Sequence, residues 1–179
     1  MKRICFFSIF IICLSVSTYA ETSISLGIGP EVNMYSQSLM AGGLVFNMDY
    51  RLGELFSIGA RALYCIDLGE ANASVLEVSG NVRLYFLRFG EMLWKYAVYW
   101  QSKWHWFLQL DVGGSFAFYP DYMPDIAYTG LNPGVMAGVR IFSETKTTYI
   151  EPYIRCSLKG YIGIGAMFGL TIAGSDTVD

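Results

Sequence analysis

The sequence is poor in the residues that most catalytic and metal sites need. It has one histidine and four cysteines in 179 residues, and charged residues make up only 15% of it. No histidines and cysteines recur at the spacing of a metal site, and no nucleophile–base arrangement is recognisable. We therefore predict no metal site, no cofactor and no enzymatic activity.

Basic residues are scarce as well, which argues against nucleic acid as a partner. The chain has 12 lysines and arginines against 15 acidic residues, and its net charge is −3. Two of the basic residues, Lys2 and Arg3, stand at the N-terminus, and the others form no basic patch. A protein that binds nucleic acid normally carries such a patch, so we predict no nucleic-acid binding.

The first twenty residues have the pattern of a secretory signal peptide. Basic residues open the segment, an uncharged apolar run follows from Ile4 to Val16, and a small-x-small motif ends at Ala20. The apolar run is shorter than the roughly 20 residues that a membrane-spanning helix needs, and a retained anchor is the alternative. We predict a signal peptide over residues 1–20, cleaved near Ala20, and one domain over residues 21–179.

The remainder of the chain is apolar but lacks a run that could span a membrane as a helix. Apolar residues make up 54% of the sequence and aromatic residues 16%. The longest charge-free stretch, Gly160 to Ser175, is interrupted by glycines and alternates with a period of two. Because a bilayer accepts only helices and closed barrels, this composition favours a transmembrane β-barrel.

Alternation with a period of two can be followed through eight segments. In the fourth segment, Leu76, Val78 and Val82 lie on one face, whereas Glu77 and Ser79 lie on the other. We predict an all-β fold, an eight-stranded antiparallel up-and-down transmembrane barrel, with both termini on the periplasmic side. The predicted strands are Ser23 to Tyr35, Met40 to Arg51, Leu55 to Asp67, Ser74 to Leu87, Trp104 to Tyr119, Asn132 to Phe142, Thr148 to Leu158, and Tyr161 to Ile172.

The placement of charge indicates which face of the strands points into the barrel. Every charged residue of the eight predicted strands falls on the face that carries the glycines and serines. A soluble lipocalin-like barrel that binds a ligand is the alternative, and its polarity would be the opposite. We predict that the aliphatic face contacts lipid and that the lumen is polar and filled by side chains, since eight strands leave little more room.

The charges on the inward face are close to balance, which predicts a network of ion pairs. An unpaired buried charge costs several kcal/mol, so these side chains should find partners. Asp49 also faces inward, whereas Arg51 and Asp67 stand at strand ends within reach of water. The predicted lumenal ion-pair network consists of Glu31, Arg61, Glu77, Arg83, Asp111, Arg140, Glu151 and Arg155.

The turn from Ser143 to Thr147 predicts one pairing within this network. If the turn is centred on Thr145 and Lys146, Arg140 and Glu151 face each other across the hairpin. The network would then plug the barrel, because a lumen this narrow is filled by its own side chains. The alternative is a gate in a narrow pore for small solutes.

Two connecting segments remain outside the predicted wall. Pro120 to Leu131 is the only long loop on the outer side and therefore the best candidate for display at the cell surface. The residues that it would expose are Asp121, Tyr122, Asp125 and Tyr128. Arg88 to Lys103 would form an interfacial helix on the periplasmic side, extend the neighbouring strands, or add strands to the eight.

Several features together resemble a known family. These are the signal peptide, the strand Glu77 to Phe86, the stretch Gln109 to Ser115, the segment Tyr149 to Tyr153 and the glycine-alternating last strand. With these features the chain resembles the small eight-stranded outer-membrane β-barrels of the OmpA, OmpX and OmpW-like superfamily. Such proteins typically end on an aromatic residue, whereas residues 173–179 follow the last strand here, so the assembly signal would be internal or degenerate.

The resemblance implies an integral protein in the outer membrane of a Gram-negative-type (diderm) envelope. Its role would be structural or surface-exposed, and the chain would be a monomer that contacts outer-membrane lipid and is inserted by the barrel-assembly machinery. Some barrels of this size are lipid-modifying enzymes with a Ser–His pair near the outer leaflet. The only histidine, His105, is predicted near the periplasmic end, which does not fit that activity.

Overall fold

The described part of the chain is built from β-strands. The computed structural model describes residues 23–35, 40–52, 55–69, 73–86, 104–118 and 129–173. In those ranges no helix is long and apolar enough to cross a membrane. The strands are β1 (Ser23–Met34), β2 (Met40–Leu52), β3 (Phe56–Asp67), β4 (Ser74–Tyr85), β5 (Trp104–Phe118), β6 (Gly130–Leu131), β7 (Gly134–Phe142), β8 (Thr148–Ser157) and β9 (Ile162–Ala173).

The strands form one antiparallel sheet that closes on itself. Their order is β4-β3-β2-β1-β9-β8-β7-β5-β6, and β4 also pairs with β5. The first and last strands pair with each other, with Ile24 opposite Ile172. Closure removes the free edges that a sheet would otherwise expose. The chain is therefore an up-and-down barrel, in which every long strand has two antiparallel neighbours.

The short strand β6 belongs to the same barrel position as β7. Asp111 of β5 pairs with Gly134, and Gly114 pairs with Leu131, so the register against β5 is unchanged across the gap. Asn132 and Pro133 fill that gap, and proline cannot donate a hydrogen bond to the sheet. The barrel therefore has eight positions, as predicted. The prediction began this strand at Asn132, whereas pairing starts at Gly130.

The predicted strands agree with the observed ones to within about two residues at each end, apart from that earlier start. Three predicted features lie outside the described residues and stay predictions. They are the signal peptide over residues 1–20, the segment Arg88 to Lys103, and the loop residues Asp121, Tyr122, Asp125 and Tyr128.

The two faces of the wall have opposite chemistry. Outward side chains are mainly aliphatic or aromatic and are exposed, with Leu44 62% and Ile164 63% accessible. Inward side chains include arginines, carboxylates, asparagines and serines, which are buried except at strand ends such as Arg51 and Asp67, together with apolar groups such as Val45 and Met167. A soluble lipocalin-like barrel has its apolar residues inside. The observed polarity is the reverse and matches that of a transmembrane barrel.

Two tight turns set the register of the last three strands. The turn between β7 and β8 is closed by the Ser143 amide, which donates to the Thr148 carbonyl at 2.9 Å. Ile141 pairs with Ile150, so the turn is centred on Thr145 and Lys146 as predicted. In the turn between β8 and β9, Gly160 has a φ of 90°, a conformation that favours glycine.

Candidate functional site

The charged side chains of the lumen fall into two clusters along the barrel axis. We call the end where β1 begins and β9 ends the proximal end, and the opposite end the distal end. The proximal cluster consists of Asp49, Arg83, Arg140 and Glu151. The distal cluster consists of Glu31, Arg61, Glu77, Asp111 and Arg155. None of these nine residues is more than 3% exposed.

The proximal cluster is balanced and closely paired. Arg83 donates from Nη1 and Nη2 to the two oxygens of Glu151, at 2.8 and 2.9 Å. Arg140 donates from Nε to Glu151 at 2.6 Å and from Nη2 and Nη1 to Asp49 at 2.8 and 3.2 Å. Arg140 Nη1 also donates to the Ser25 hydroxyl at 3.1 Å. Two such bidentate pairs hold both guanidiniums in fixed planes.

Aromatic rings cover the two proximal arginines. The Arg83 guanidinium lies 4.0 Å from the centre of the Phe107 ring, and that of Arg140 lies 4.1 Å from the Tyr149 ring. Arginine stacks on aromatic faces more readily than lysine does because its guanidinium is planar and weakly hydrated. The rings therefore add a second type of contact to each guanidinium and fill the proximal lumen.

The distal cluster depends on tyrosines as well as arginines. Arg61 forms an ion pair with Glu31, whose same oxygen accepts from the Tyr153 hydroxyl at 2.5 Å. Arg155 donates to Glu77 and to the Tyr161 hydroxyl, each at 2.7 Å. Phenol groups supply hydrogen bonds to the carboxylates without supplying positive charge. The distal cluster thus holds three carboxylates against two guanidiniums.

Gln109 connects the two clusters. Its Oε1 accepts from Arg83 Nε at 2.8 Å, and its Nε2 donates to Asp111 Oδ1 at 2.7 Å. A neutral amide suits this position because it offers an acceptor to a cation on one side and a donor to an anion on the other. The lumenal network is therefore continuous from one cluster to the other.

Unsatisfied polar atoms distinguish the clusters. In the described part of the chain, Glu31 Oε1, Asn33 Oδ1, and Nε and Nη1 of Arg61 are buried without a hydrogen-bond partner. Asp111 Oδ2 and Arg155 Nε lie 3.3 Å apart but are not aligned for a hydrogen bond. No charged atom of the proximal cluster is in this state within the same ranges. The distal cluster therefore has bonding capacity that the described side chains leave unused.

All eight residues of the predicted network lie in the lumen, and the predicted pairing of Arg140 with Glu151 is present. The predicted network omitted Asp49, although its inward face was recognised. It also omitted the buried tyrosines. The period-two alternation could have revealed them. Each lies on the inward face, either two residues from a charged residue or at the end of a strand. These tyrosines are Tyr35, Tyr85, Tyr149, Tyr153 and Tyr161.

The histidine and the cysteines have separate surroundings. His105 is half-buried near the proximal end, where its Nδ1 lies 3.3 Å from Arg51 Nη1 and its ring packs against Phe142. Cys65 is buried in the lumen and Cys156 is exposed on the outer face, and both thiols are free. Within the described ranges, no group of three or more His, Cys, Asp or Glu could hold a metal ion.

Comparison with solved structures identifies the fold. Neisserial surface protein A (NspA) has a TM-score of 0.59 and 11% identity, covering 84% of this chain and 96% of its own. The N-terminal β-barrel domain of Pseudomonas aeruginosa OprF has a TM-score of 0.51 and 10% identity, covering 86% and 98%. Ail, the attachment invasion locus protein of Yersinia pestis, has a TM-score of 0.51 and 12% identity, covering 86% and 99%.

At the level of sequence, no protein-family model and no curated protein matches the chain. The likeness therefore lies in architecture, and it extends over nearly the whole length of each solved barrel. The closed sheet, the buried polar lumen and the apolar outer face agree with it. The chain has the fold of the small eight-stranded outer-membrane β-barrels.

Proposed function

We propose that the chain is an integral outer-membrane barrel protein with a structural or surface-exposed role, and that its ion-pair network closes the lumen. The burial of the nine charged side chains carries this proposal. In an open pore, water would reach the groups that line the passage, whereas here none is more than 3% exposed. A closed lumen of this kind gives the barrel rigidity rather than transport.

The outer face supports a membrane location. Exposed residues in the middle of the wall are mainly aliphatic, with Phe46 and Phe168 among them, and Trp104, Trp106 and Tyr50 are exposed near the proximal end. Tryptophan and tyrosine are enriched at the interface between lipid and water. These rings would therefore mark the periplasmic boundary of the membrane, and the aliphatic band would contact outer-membrane lipid.

Biogenesis follows from the same proposal. Residues 1–20 would direct export and be removed near Ala20, and the barrel-assembly machinery would insert residues 21–179 as a monomer. The predicted outer loop, with Asp121, Tyr122, Asp125 and Tyr128, would then face the cell exterior. Two structural neighbours are described as a surface protein and an attachment invasion locus protein, which makes this loop the best candidate for contact outside the cell.

The proposal assigns no catalysis to the barrel. His105 contacts Arg51 and packs edge-on against Phe142 and Tyr85. Those contacts suit a packing residue at the proximal mouth, with the cation Arg51 beside Nδ1 of the ring. We assign His105 to the aromatic layer that narrows this mouth.

Bilayer conductance tests whether the lumen is closed. Purified protein, refolded in detergent and shown by gel mobility to be folded, is added to a planar lipid bilayer under voltage. We expect no reproducible conductance steps from the folded barrel. Regular steps that disappear when the same sample is boiled would contradict the closed lumen and favour a narrow pore for small solutes.

A further inference from the structure

Two prolines stand inside strands of the closed wall. Pro30 lies within β1 and Pro152 within β8, and each of these strands has a neighbour on both sides. A proline has no N–H to donate, so in sheets it normally occurs at an edge, at the first residue of a strand or at a bulge. A closed barrel has no edge strand to accommodate it. Each proline therefore removes one donor from a border between two strands.

Both missing donors fall on the borders of the β8–β9 hairpin (residues 148–173). Between β1 and β9, the pairing has a gap at Pro30 and at Ala166, which lies opposite it. Between β7 and β8, it has a gap at Pro152 and at Val139 opposite. Within the hairpin, Pro152 pairs with Ala166, so the two gaps lie at the same height of the wall. By contrast, the pairing between successive strands from β1 to β5 has no gap.

The gaps weaken the attachment of the hairpin to its neighbours while leaving the hairpin itself intact. β8 and β9 pair with each other without a gap from Thr148 to Cys156. At the height of the gaps, Pro30, Ala166 and Pro152 form a row on the outer face, and these short side chains offer little packing across the borders. The hairpin is therefore a continuous unit with weakened borders on both sides.

Side chains in the lumen bind the hairpin to the opposite wall. Glu151 of β8 accepts from Arg83 of β4 at 2.8 and 2.9 Å, and Arg155 of β8 donates to Glu77 of β4 at 2.7 Å. Tyr161, which precedes β9, donates to the same Glu77. Because β4 is not a neighbour of β8 or β9 in the sheet, these contacts cross the lumen. They attach the hairpin where the backbone pairing is incomplete.

We propose that the β8–β9 hairpin is the part of the wall that opens most readily, as one unit, and that the ion pairs of Glu151 and Arg155 with β4 are the latch that holds it shut. Proteins open locally in cooperative units whose stability depends on their own contacts. The hairpin has fewer backbone bonds to its neighbours, so its closure depends on the charged network. The network would then control a local motion of the wall as well as fill the lumen.

Hydrogen–deuterium exchange of the folded protein in detergent, read by mass spectrometry, tests the proposal. Residues 150–168 and residues 44–64 are matched segments, since each covers the middle of two paired strands and their connection. We expect the amides of residues 150–168 to exchange about tenfold faster, the change that one or two hydrogen bonds make in an opening equilibrium. Equal or slower exchange in residues 150–168 would overturn the proposal.

Restoring the missing donors tests the cause. Pro30→Ala combined with Pro152→Ala returns both N–H groups without adding bulk, and it should slow exchange in residues 150–168 about tenfold. Val32→Ala combined with Ile154→Ala is the matched control, because it shortens exposed outward side chains of the same two strands and adds no donor. The control should not slow exchange. Exchange in the hairpin that the proline variant leaves unchanged would contradict the proposed weakness.

Two arginine variants test the latch. Arg155 and Arg61 are both 1% exposed in the distal cluster, but Arg155 joins the hairpin to β4, whereas Arg61 of β3 pairs with Glu31 of β1. Arg155→Met should raise the exchange rate of residues 150–168 relative to residues 44–64, and Arg61→Met should not. The same rise in both variants would mean that the arginines stabilise the barrel as a whole, and would overturn the latch. If Arg155→Met does not fold, Glu151→Gln weakens the other latch pair and should raise the same ratio.

Discussion

The proximal and distal ends of one lumen bury the same kinds of residues in different ways. At the proximal end, Arg83 and Arg140 bind two carboxylates through paired hydrogen bonds and are covered by aromatic rings. At the distal end, tyrosine hydroxyls provide much of the bonding, and several charged atoms keep unused capacity. The difference teaches that the charged groups of one filled lumen can be fully paired at one end and incompletely paired at the other.

That contrast has an energetic consequence. A buried ion pair adds little net stability over an apolar pair, but losing one partner leaves an uncompensated charge and costs about 3–5 kcal/mol. A carboxylate in an acid-rich cluster is different, because neutralising it reduces like-charge repulsion. Substitutions at the proximal end should therefore be more damaging than equivalent substitutions at the distal end.

The largest expected effect comes from Arg140→Leu. Arg140 is the only described side chain that hydrogen-bonds to both Asp49 and Glu151, so its loss leaves excess negative charge in the proximal cluster. We expect a loss of about 3–5 kcal/mol, or a fall of roughly 10 °C in the melting temperature in detergent. An unchanged melting temperature would mean that the proximal network does not stabilise the barrel.

Asp49→Asn and Asp111→Asn should each lower stability less than Arg140→Leu does. The difference between these two variants compares the two clusters most sharply. Asp49 accepts two hydrogen bonds from Arg140, whereas Asp111 accepts one from Gln109 and belongs to the acid-rich cluster. We expect Asp49→Asn to cost about 3 kcal/mol and Asp111→Asn less than about 1 kcal/mol. Parallel thermal melts provide the measurement. Equal losses of stability in the two variants would contradict the proposed difference between the clusters.

Gln109→Leu tests whether the two clusters communicate. The substitution keeps the volume but leaves Arg83 Nε and Asp111 Oδ1 without their amide partner. We expect a loss of about 1–3 kcal/mol, the usual cost of an unsatisfied buried group. A double-mutant cycle between Arg140→Leu and Asp111→Asn gives the coupling free energy between the two clusters. The cycle is measured once with Gln109 present and once in the Gln109→Leu background. Coupling unaffected by residue 109 would show that the amide is not the link.

Labelling the two cysteines should have the smallest effect on stability. It compares the accessibility of a thiol in the lumen with that of a thiol on the outer face. Cys65 is fully buried in the lumen, and Cys156 is exposed on the outer face. In folded barrels reconstituted in lipid, an apolar maleimide should label Cys156 and leave Cys65 unmodified until the protein is unfolded, since reaction needs access to the thiol. Labelling of Cys65 first would reverse the assignment of the faces.

The sequence predicted what depends on alternation and failed where contacts cross the lumen. Period-two patterning identified eight strands and their inward faces, and the short turn at Ser143 to Thr147 gave the Arg140–Glu151 pair. By contrast, the Arg140–Asp49 and Arg83–Glu151 contacts join strands that are not neighbours. Such contacts depend on barrel width, stagger and side-chain length together, which no local pattern encodes.

The tyrosines and the interrupted strand were missed for related physical reasons. An amphipathic ring suits either face of the wall, so the chemistry of Tyr153 and Tyr161 did not reveal that their hydroxyls serve buried carboxylates. The predicted strand began at Asn132, whereas the pairing resumes at Leu131 in the same register because β5 continues alongside. In both cases the local sequence allows more than one arrangement, and contacts with other strands determine which one forms.

The central claim is a membrane-spanning barrel with a charged, filled interior and an apolar exterior. Fractionation of cells that express the full chain, followed by gel electrophoresis with and without boiling, tests it most directly. We predict that the protein is recovered with the outer membrane and that its mobility changes on boiling, because the folded barrel survives detergent until heated. Recovery in the soluble periplasm with the same mobility in both samples would contradict the account.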